Sequence, residues 1–318
     1  MALIGKDILQ AKIFLEQSQV VAIPTETVYG LAGNAFDDKA VAKIFQVKNR
    51  PTFDPLIVHT NSLDKLKTFV SYFPEKAVQL ASAFWPGPLT LVLPRTSHIS
   101  DLVTSGMDTV GVRIPDHPLT RQLLEILDFP LAAPSANPFG YISPTQAAHV
   151  QAQLGECIPY ILDGGSAEIG IESTIVGFLD EEALVYRLGG ISLEDIERVI
   201  GKVEVQSHST SNPQAPGMLM SHYAPRKPLY TEDLPGLLAQ FKPEKIGVLA
   251  FKSQIESIPA KNQIILSAAG DFAEAARNLF SGLRKLDALP IQAIFAELLP
   301  ELELGRAIND RIRRAAAK

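Results

Sequence analysis

The sequence is poor in cysteine, has no excess of basic residues and contains no long apolar run. Cys157 is the single cysteine among 318 residues, so an intrachain disulfide is excluded, and no Cys/His cluster has zinc-site spacing. No histidine is near Cys157 in the sequence, which predicts a buried structural thiol rather than a nucleophile. The formal net charge of -6 argues against a protein built mainly to hold nucleic acid through its phosphates.

The apolar segments are all shorter than the roughly 20 residues that span a bilayer. The first segment, "MALIGKDILQAKIFLEQSQ", carries Asp7 and Glu16 and has no cleavage site, so it is predicted to be an amphipathic helix rather than a signal peptide. A hydrophobic fraction of 46% with 20% charged residues is typical of a soluble globular protein. Together these features predict a cytoplasmic protein with no membrane partner.

The order of helical and extended patterns predicts two α/β domains. Residues 1–201 alternate the two patterns, and the close succession of strands after Tyr160 predicts a mixed sheet. Residues 202–228 are rich in Ser and Pro with weak periodicity, which indicates a linker or a functional loop. Residues 229–318 alternate strand and helix, as in a small Rossmann-like domain with a parallel sheet.

A glycine-rich phosphate loop is also missing. The second domain offers only "AAGDF" at residues 268–272, which is too short for a dinucleotide fingerprint, and no P-loop pattern occurs. If the protein binds a nucleotide, a different kind of site must bind it.

Two cations, Lys48 and Arg50, follow one another at the end of a predicted helix that Pro51 stops. From the sequence alone, the simpler interpretation is a solvated helix end, where cations offset the helix dipole. The functional interpretation is phosphate binding, with Lys as a point charge and Arg as a bidentate fork.

Arg113 interrupts the apolar strand "VGVRIP", and a buried guanidinium needs a partner. That partner is either a bound carboxylate or an internal Asp or Glu. His59 ends the strand "PLIVHT", where a single histidine is more often structural than catalytic.

Other predicted strands also end in polar side chains. "APSANPFGYISPT" supplies Ser135, Asn137, Ser143 and Thr145, with Ser143 predicted as a helix N-cap, while "GIESTIVGF" and "VYRLGG" supply Glu172, Ser173, Thr174 and Arg187. Open α/β sheets bind ligands at such strand ends. The pattern predicts an anion site that works by positioning and charge, without a protein nucleophile or an evident metal cage.

Nine of these segments in their order resemble the YrdC-like family of threonylcarbamoyl-AMP synthases. They are "PTETVYGLAGNAF", "KIFQVKNRP", "PLIVH", "WPGPLTLVL", "VGVRIPDHP", "APSANPFGYISPT", "DGG", "ESTIV" and "RLGG". "APGMLMSHYAP" and "LGRAINDRIRRAA" are similar to the long, two-domain form of the family. The resemblance implies a twisted mixed sheet with a concave substrate cavity.

The resemblance also implies an activity. L-threonine, bicarbonate or CO2, and ATP with Mg²⁺ give threonylcarbamoyl-AMP and pyrophosphate, and separate transferase machinery then modifies tRNA. By motif position, the expected threonine residues are Thr27, His59, Arg113, Ala133 and Ser173. The expected ATP residues are Lys48, Arg50, Asp54, Thr109, Ser135, Asn137, Ser143, Arg187 and Tyr223, with the linker as a lid over the site.

Asp54 departs from the family, which commonly has Asn in this segment. A carboxylate at this position would either bind Mg²⁺ directly or repel phosphate. Two other functions share the fold: a module that binds double-stranded RNA or tRNA, and a carbamoyl-transfer domain of the hydrogenase-maturation type. The net charge of -6 weighs against the first, so tRNA is expected to bind weakly at most, and the chain shows no zinc-finger or acylphosphatase-like segment expected of the second.

Overall fold

The computed structural model describes residues 1–179, 181–206, 218 and 222–317, and it contains two sheets. The strands of the larger sheet are β1 Leu3–Gly5, β2 Val21–Ile23, β3 Gly30–Asn34, β4 Ile57–His59, β5 Leu89–Pro94, β6 Thr109–Arg113, β7 Leu131–Ala132, β8 Tyr160–Leu162, β9 Thr174–Leu179, β10 Glu182–Arg187 and β11 Glu204–Val205. Their order is β1-β8-β2-β3-β7-β4-β6-β5-β9-β10-β11. Both parallel and antiparallel pairs occur along it, so the predicted mixed sheet is confirmed.

Eight helices of the described residues accompany this sheet. They are α1 Ile8–Glu16, α2 Asp38–Lys48, α3 Leu63–Leu66, α4 Glu75–Phe84, α5 Asp101–Thr104, α6 Pro118–Ile126, α7 Ala147–Leu154 and α8 Leu193–Ile200. Side-chain caps fix several starts: Asp37 accepts from the amide of Lys39, and Ser192 accepts from the amide of Asp195. The predicted Ser143 cap is wrong, because α7 begins at Ala147 and Ser143 bonds elsewhere.

Side-chain alternation along the central strands divides the sheet into two different faces. In β5, Leu89, Leu91 and Leu93 enter the main core beneath α2, α4, α7 and α8, whereas Thr90 and Val92 point to the opposite face. Helices α1 and α6 cover that opposite face only near β2, β3 and β8. Among the described residues, the face around β4, β6, β5 and β9 therefore stays free of helices and is available to a ligand.

The second sheet is small and fully parallel. Its strands are β12 Leu229–Tyr230, β13 Ile246–Ala250, β14 Gln263–Ile265 and β15 Ala293–Ala296, in the order β12-β15-β13-β14. Helix α9 Leu234–Gln240 packs on one face, and α10 Phe272–Ala288 and α11 Glu303–Ala316 pack on the other. This alternation confirms the Rossmann-like second domain.

The two domains share a hydrophobic core. Val28, Ile142 and Ile171 of the first domain join a cluster built mainly from α10 and α11. Since these three residues flank polar segments that were singled out in the sequence, the second domain supports the back of the predicted site.

Three local expectations fail. Cys157 is exposed in the turn after α7 rather than buried, because α7 ends at Leu154 and the chain reverses at the surface. The N-terminal segment forms strand β1 before its helix, since three residues pair with β8 across a long sequence separation. The helical pattern of "NSLDKLKTFV" predicts a helix over this segment, but the helix lasts only from Leu63 to Leu66. No helix among the described residues has both the length and the apolar character needed to cross a bilayer.

Candidate functional site

A cavity opens on the helix-free face of the larger sheet, with about 560 Å³ of empty space, part of it open to solvent. It is lined by Thr25, Thr27, Val28, Gly30, Arg50, Ile57, His59, Arg113, Ala133, Pro134, Ser135, Glu172, Ser173, Arg187, His222 and Tyr223. All five residues expected on the threonine side lie here. Of the nine expected on the ATP side, four line the same cavity: Arg50, Ser135, Arg187 and Tyr223.

Strand register brings the threonine-side residues together. β4 and β6 are parallel, and His59 is the direct register partner of Arg113 at their carboxyl ends. The amide of Ala133 donates to the carbonyl of Ile57 at 2.9 Å, which places the end of β7 beside them. Segments far apart in sequence therefore contribute to one wall.

A short turn after β2 fixes Thr27. Thr25 Oγ1 donates to the carbonyl of Val28 at 2.6 Å, so the 2.8 Å contact between the two threonine hydroxyls is donated by Thr27. Arg113 Nη1 then donates to Thr27 Oγ1 at 2.9 Å. The Thr27 hydroxyl is thus oriented on one side by a turn and on the other by a guanidinium.

Arg113 has an internal carboxylate partner. Its Nη2 lies 2.6 Å from Glu26 Oε1, and both side chains are buried. The contact is ionic without good hydrogen-bond direction, since neither atom has a hydrogen-bond partner among the described residues. Of the two partners left open by the sequence, the structure supplies Glu26, while Nη2 keeps donor capacity for a second anion.

His59 is held neutral. Burial, and then the positive charge of Arg113, lowers the pKa of His59 to about 3. Its Nδ1 has no hydrogen-bond partner within the described ranges. Near neutral pH the ring adds no charge to the cavity and can serve as a hydrogen-bonding group.

Ser173 and Arg187 form the adjacent wall. β9 and β10 are antiparallel, so the end of β10 returns to the start of β9, and Arg187 donates to both the carbonyl and the hydroxyl of Ser173 at 3.0 Å. Thr90 Oγ1 lies 2.7 Å from the same hydroxyl. Ser173 is therefore surrounded by groups that fix its rotamer.

Glu172 is a lining residue connected to the second domain. Its Oε1 accepts from Ser143 at 2.5 Å and its Oε2 accepts from Arg311 of α11 at 2.9 Å. Burial alone would raise the pKa of Glu172, but Arg311, Arg187 and the Ser143 hydroxyl together lower it. Ser143, expected on the ATP side, thus orients a cavity residue without lining the cavity itself.

Lys48 and Arg50 are buried, so the solvated helix end is wrong. α2 ends at Lys48, Asn49 takes the left-handed conformation, and the chain turns both cations inward. Lys48 Nζ donates to the carbonyls of Ser135 and Asn137, and burial together with the charge of Arg50 holds its pKa well below the ordinary value. Lys48 therefore braces the Ser135 loop from behind, whereas Arg50 reaches the cavity.

The remaining ATP-side residues lie around the cavity rather than in it. Asn137 is buried and its amide donates to the carbonyls of Pro138 and Tyr141, which closes the loop. Asp54 is buried next to Arg50. Thr109 faces the same side as Arg113 but four residues earlier on β6, about 13 Å away, where it lines a separate small cavity with Thr90.

The end of the linker enters the cavity wall. Tyr223 is buried with φ 63°, and its ring packs 5.5 Å from that of Phe280 and 5.2 Å from the Arg311 guanidinium. His222 stacks edge-on against it at 4.2 Å. The predicted lid falls largely on residues 207–217 and 219–221, which lie outside the described residues, so that function stays a prediction.

Arg311 and His222 are among the residues of this site that were missed from the sequence. Arg311 comes from the last helix, and the Arg-rich run "DRIRRAA" looks like a solvated helix face until its buried side is seen. His222 lies in a segment with weak periodicity, and its only sequence signal was the quoted motif around it.

The fold and the site define a two-domain α/β protein whose mixed sheet carries a cavity lined by Arg50, Arg113 and Arg187. Comparisons agree with this class. A profile of the Sua5/YciO/YrdC family, described as "Telomere recombination", matches residues 13–189, and one described as "Threonylcarbamoyl-AMP synthase, C-terminal domain" matches residues 191–317.

Curated relatives cover almost the whole chain. A protein of Pyrococcus abyssi named threonylcarbamoyl-AMP synthase is 40% identical over 95% of this chain and 92% of its own length. A Bacillus subtilis protein of the same name is 39% identical over 97% and 92%. The crystal structure of P. abyssi Sua5 complexed with L-threonine matches with a TM-score of 0.91 at 38% identity, covering 99% of this chain and 98% of that one. The chain belongs to the Sua5/YciO/YrdC family, in its long two-domain form.

Proposed function

We propose that this protein is an L-threonylcarbamoyladenylate synthase, a nucleotidyltransferase that forms threonylcarbamoyl-AMP and pyrophosphate from L-threonine, bicarbonate or CO2, and ATP. The observation that carries the proposal is the convergence of Thr27, His59, Arg113, Ala133 and Ser173 in one cavity with the cations Arg50 and Arg187. The names of the full-length relatives and the threonine complex of P. abyssi Sua5 support the same activity.

On the threonine side, Arg113 binds the substrate carboxylate through its remaining donor capacity, since Glu26 already neutralises one charge. His59 and Thr27 hydrogen-bond the amino and hydroxyl groups. The apolar surfaces of Val28 and Ile57 are available to the β-methyl group. Packing a methyl group distinguishes threonine from serine by only about 1–3 kcal/mol, so serine should be a poor substrate rather than an inert one.

On the ATP side, Arg50 and Arg187 offset the negative charge of the triphosphate. The threonine amine attacks bicarbonate with loss of water, or CO2 with loss of a proton from the nitrogen, to give a carbamate, whose oxygen attacks the α-phosphorus as pyrophosphate leaves. Both steps bring anions together, so fixed cations in a partly closed cavity favour the transition state. No covalent bond to the protein is needed.

Magnesium enters this proposal as part of the ATP substrate. Among the described residues, no group of three or more His, Cys, Asp or Glu could hold a metal ion. The carboxylates closest to the cavity each face an arginine: Glu26 faces Arg113 and Glu172 faces Arg311. Mg²⁺ commonly keeps several waters and rides on phosphate oxygens, which suits such a site.

The carbamate and the acyl-adenylate hydrolyse readily, so we propose that the linker limits water access when substrates are bound. The product then passes to a separate transferase that modifies tRNA. We therefore propose that the protein acts in the cytoplasm, and that it binds tRNA only weakly and in a salt-sensitive way.

The test is a pyrophosphate-release assay with threonine, serine or no amino acid, each with and without bicarbonate. We expect release that requires threonine and bicarbonate together and that is slower with serine. Release independent of threonine, or no release under any condition, contradicts the proposal.

A further inference from the structure

Asp54 is a fully buried carboxylate in the loop after α2, directly behind the cavity wall. Its Oδ2 lies 2.9 Å from Arg50 Nη2. Neither carboxylate oxygen accepts a well-directed hydrogen bond from any described residue. A buried carboxylate without such donors depends on nearby positive charge to remain ionised.

Arg50 is held by this loop on one side and faces the cavity on the other. Its Nε donates to the carbonyl of Asp54 at 3.1 Å and its Nη2 to the carbonyl of Pro55 at 2.9 Å. These bonds do not use Nη1. Arg50 lines the cavity, and its guanidinium carbon lies 5.8 Å from the centre of the Phe139 ring. Arg50 is thus preoriented, and part of its charge is already balanced by Asp54.

The other nearby cations also act on Asp54. Burial raises the pKa of Asp54 above its ordinary value, and the charges of Arg50, Lys48 and Arg187 offset part of that rise. This one negative charge therefore acts on Arg50 and Arg187, which line the cavity, and on Lys48 behind the Ser135 loop.

We propose that Asp54 is an internal counter-anion that weakens the binding of polyphosphate in this cavity and so allows pyrophosphate to leave. The inference rests on the proposed function, because it concerns the product of that reaction. A polyphosphate entering the cavity meets cations whose charge is partly cancelled and a fixed carboxylate that repels it. The expected consequence runs opposite to that of a purely structural residue, whose loss would misplace Arg50 and weaken binding.

The experiment measures pyrophosphate binding by isothermal titration calorimetry for the natural sequence and for Asp54→Asn, which keeps the shape and removes the charge. We expect Asp54→Asn to bind pyrophosphate about tenfold more tightly, equivalent to about 1.4 kcal/mol. The matched control is Asp116→Asn, an exposed carboxylate 3.5 Å from Arg121 that is not among the residues lining the cavity, which should leave binding unchanged. Unchanged or weaker binding by Asp54→Asn overturns the inference.

A second pair of variants covers the case in which Asp54→Asn fails to fold because Arg50 is left buried without a partner. Arg50→Gln is compared with the double variant Arg50→Gln with Asp54→Asn, which buries neither charge. The double variant should bind pyrophosphate more tightly than Arg50→Gln, because Lys48 and Arg187 are freed from the same carboxylate; equal binding overturns the inference. If the natural protein binds no pyrophosphate at all, both this inference and the ATP side of the proposed function are wrong. If the natural protein binds pyrophosphate but the Asp54 variants bind it no more tightly, only this inference is wrong.

Discussion

Arg113 affects folding and substrate binding through different contacts. Its removal alone would strand the buried Glu26 carboxylate, which costs about 3–5 kcal/mol of stability. We therefore expect the double variant Arg113→Gln with Glu26→Gln to stay folded but to lose threonine-dependent pyrophosphate release, because the guanidinium assigned to the threonine carboxylate is gone. Urea unfolding and the release assay measure the two effects separately.

The matched control removes the exposed pair of Arg121 and Asp116, whose nitrogen and oxygen are 3.5 Å apart. Arg121→Gln with Asp116→Asn should change neither stability nor activity measurably, because exposed pairs contribute at most about 1 kcal/mol. Normal threonine-dependent release by the Arg113 double variant would contradict the carboxylate assignment.

His59 predicts an acid-sensitive fold. The pKa of His59 is about 3 in the folded protein, against about 6.5 when unfolded, so below pH 6.5 the unfolded state takes up a proton that the folded state does not. The contribution of neutral His59 to the free energy of unfolding is therefore fully present above pH 6.5 and is lost as the pH drops toward 3. Between pH 6 and pH 4, the free energy of unfolding should fall with decreasing pH less steeply in His59→Gln than in the natural protein, by up to about 1 kcal/mol per pH unit.

Urea unfolding at four pH values between 7.5 and 4.5 measures this slope in both proteins. The acidic groups titrate in both, so only the difference between the two slopes reports His59. Parallel curves would show that His59 becomes protonated without unfolding.

At the scale of elements, Gly170 lies close to the backbone of α10. It has φ 82°, and an added Cβ would lie 2.4 Å from Arg277 Cα and 2.7 Å from the Ala276 carbonyl, both backbone atoms that cannot move aside. We expect Gly170→Ala to destabilise the protein by about 3 kcal/mol, from the unfavourable φ and the clash together. The free energy of unfolding in urea is the measurement.

Gly106 offers the matched control, since it has φ 80° with nothing within 4 Å of an added Cβ. Gly106→Ala should lose only the conformational part, about 1 kcal/mol. If the two variants lose equal stability, α10 does not pack against the Gly170 turn as described.

At the scale of the whole molecule, Arg311 joins the second domain to the cavity. It is fully buried, donates to Glu172 at 2.9 Å and to the carbonyl of Leu188 at 2.8 Å, and packs on the ring of Tyr223. We expect Arg311→Leu to lose about 3–5 kcal/mol, because Glu172 becomes a buried carboxylate without its main charge partner. Thermal and urea unfolding report this loss.

Arg313, two residues along the same helix, tests the specificity of that effect. It pairs with Glu301 at 2.6 Å, but both side chains are about half exposed. Arg313→Leu should change stability by less than about 1 kcal/mol. A loss similar to that of Arg311→Leu would point to a general requirement for charge on α11 instead of the contact with Glu172.

Long or strongly patterned elements could be predicted from sequence, and very short ones could not. "LTLVLP" is β5, "VGVRIP" covers all of β6 except Thr109, and the 17-residue α10 follows its apolar periodicity. β1 and β12, with three and two residues, carry almost no local signal and exist because distant strands pair with them. The exposure of Cys157 was mispredicted for a similar reason, since the surroundings of a lone thiol depend on where the chain turns.

The sequence by itself determined the order of the longer strands and helices, the polar residues at the strand ends, and the family resemblance that brought in threonine and ATP. Only the tertiary structure decided that Glu26 is the partner of Arg113, that Lys48 faces backward while Arg50 faces the cavity, and that Arg311 reaches Glu172 across 139 residues. The physical reason is that secondary-structure patterns are local, whereas a buried charge is paired by whichever element the fold packs beside it.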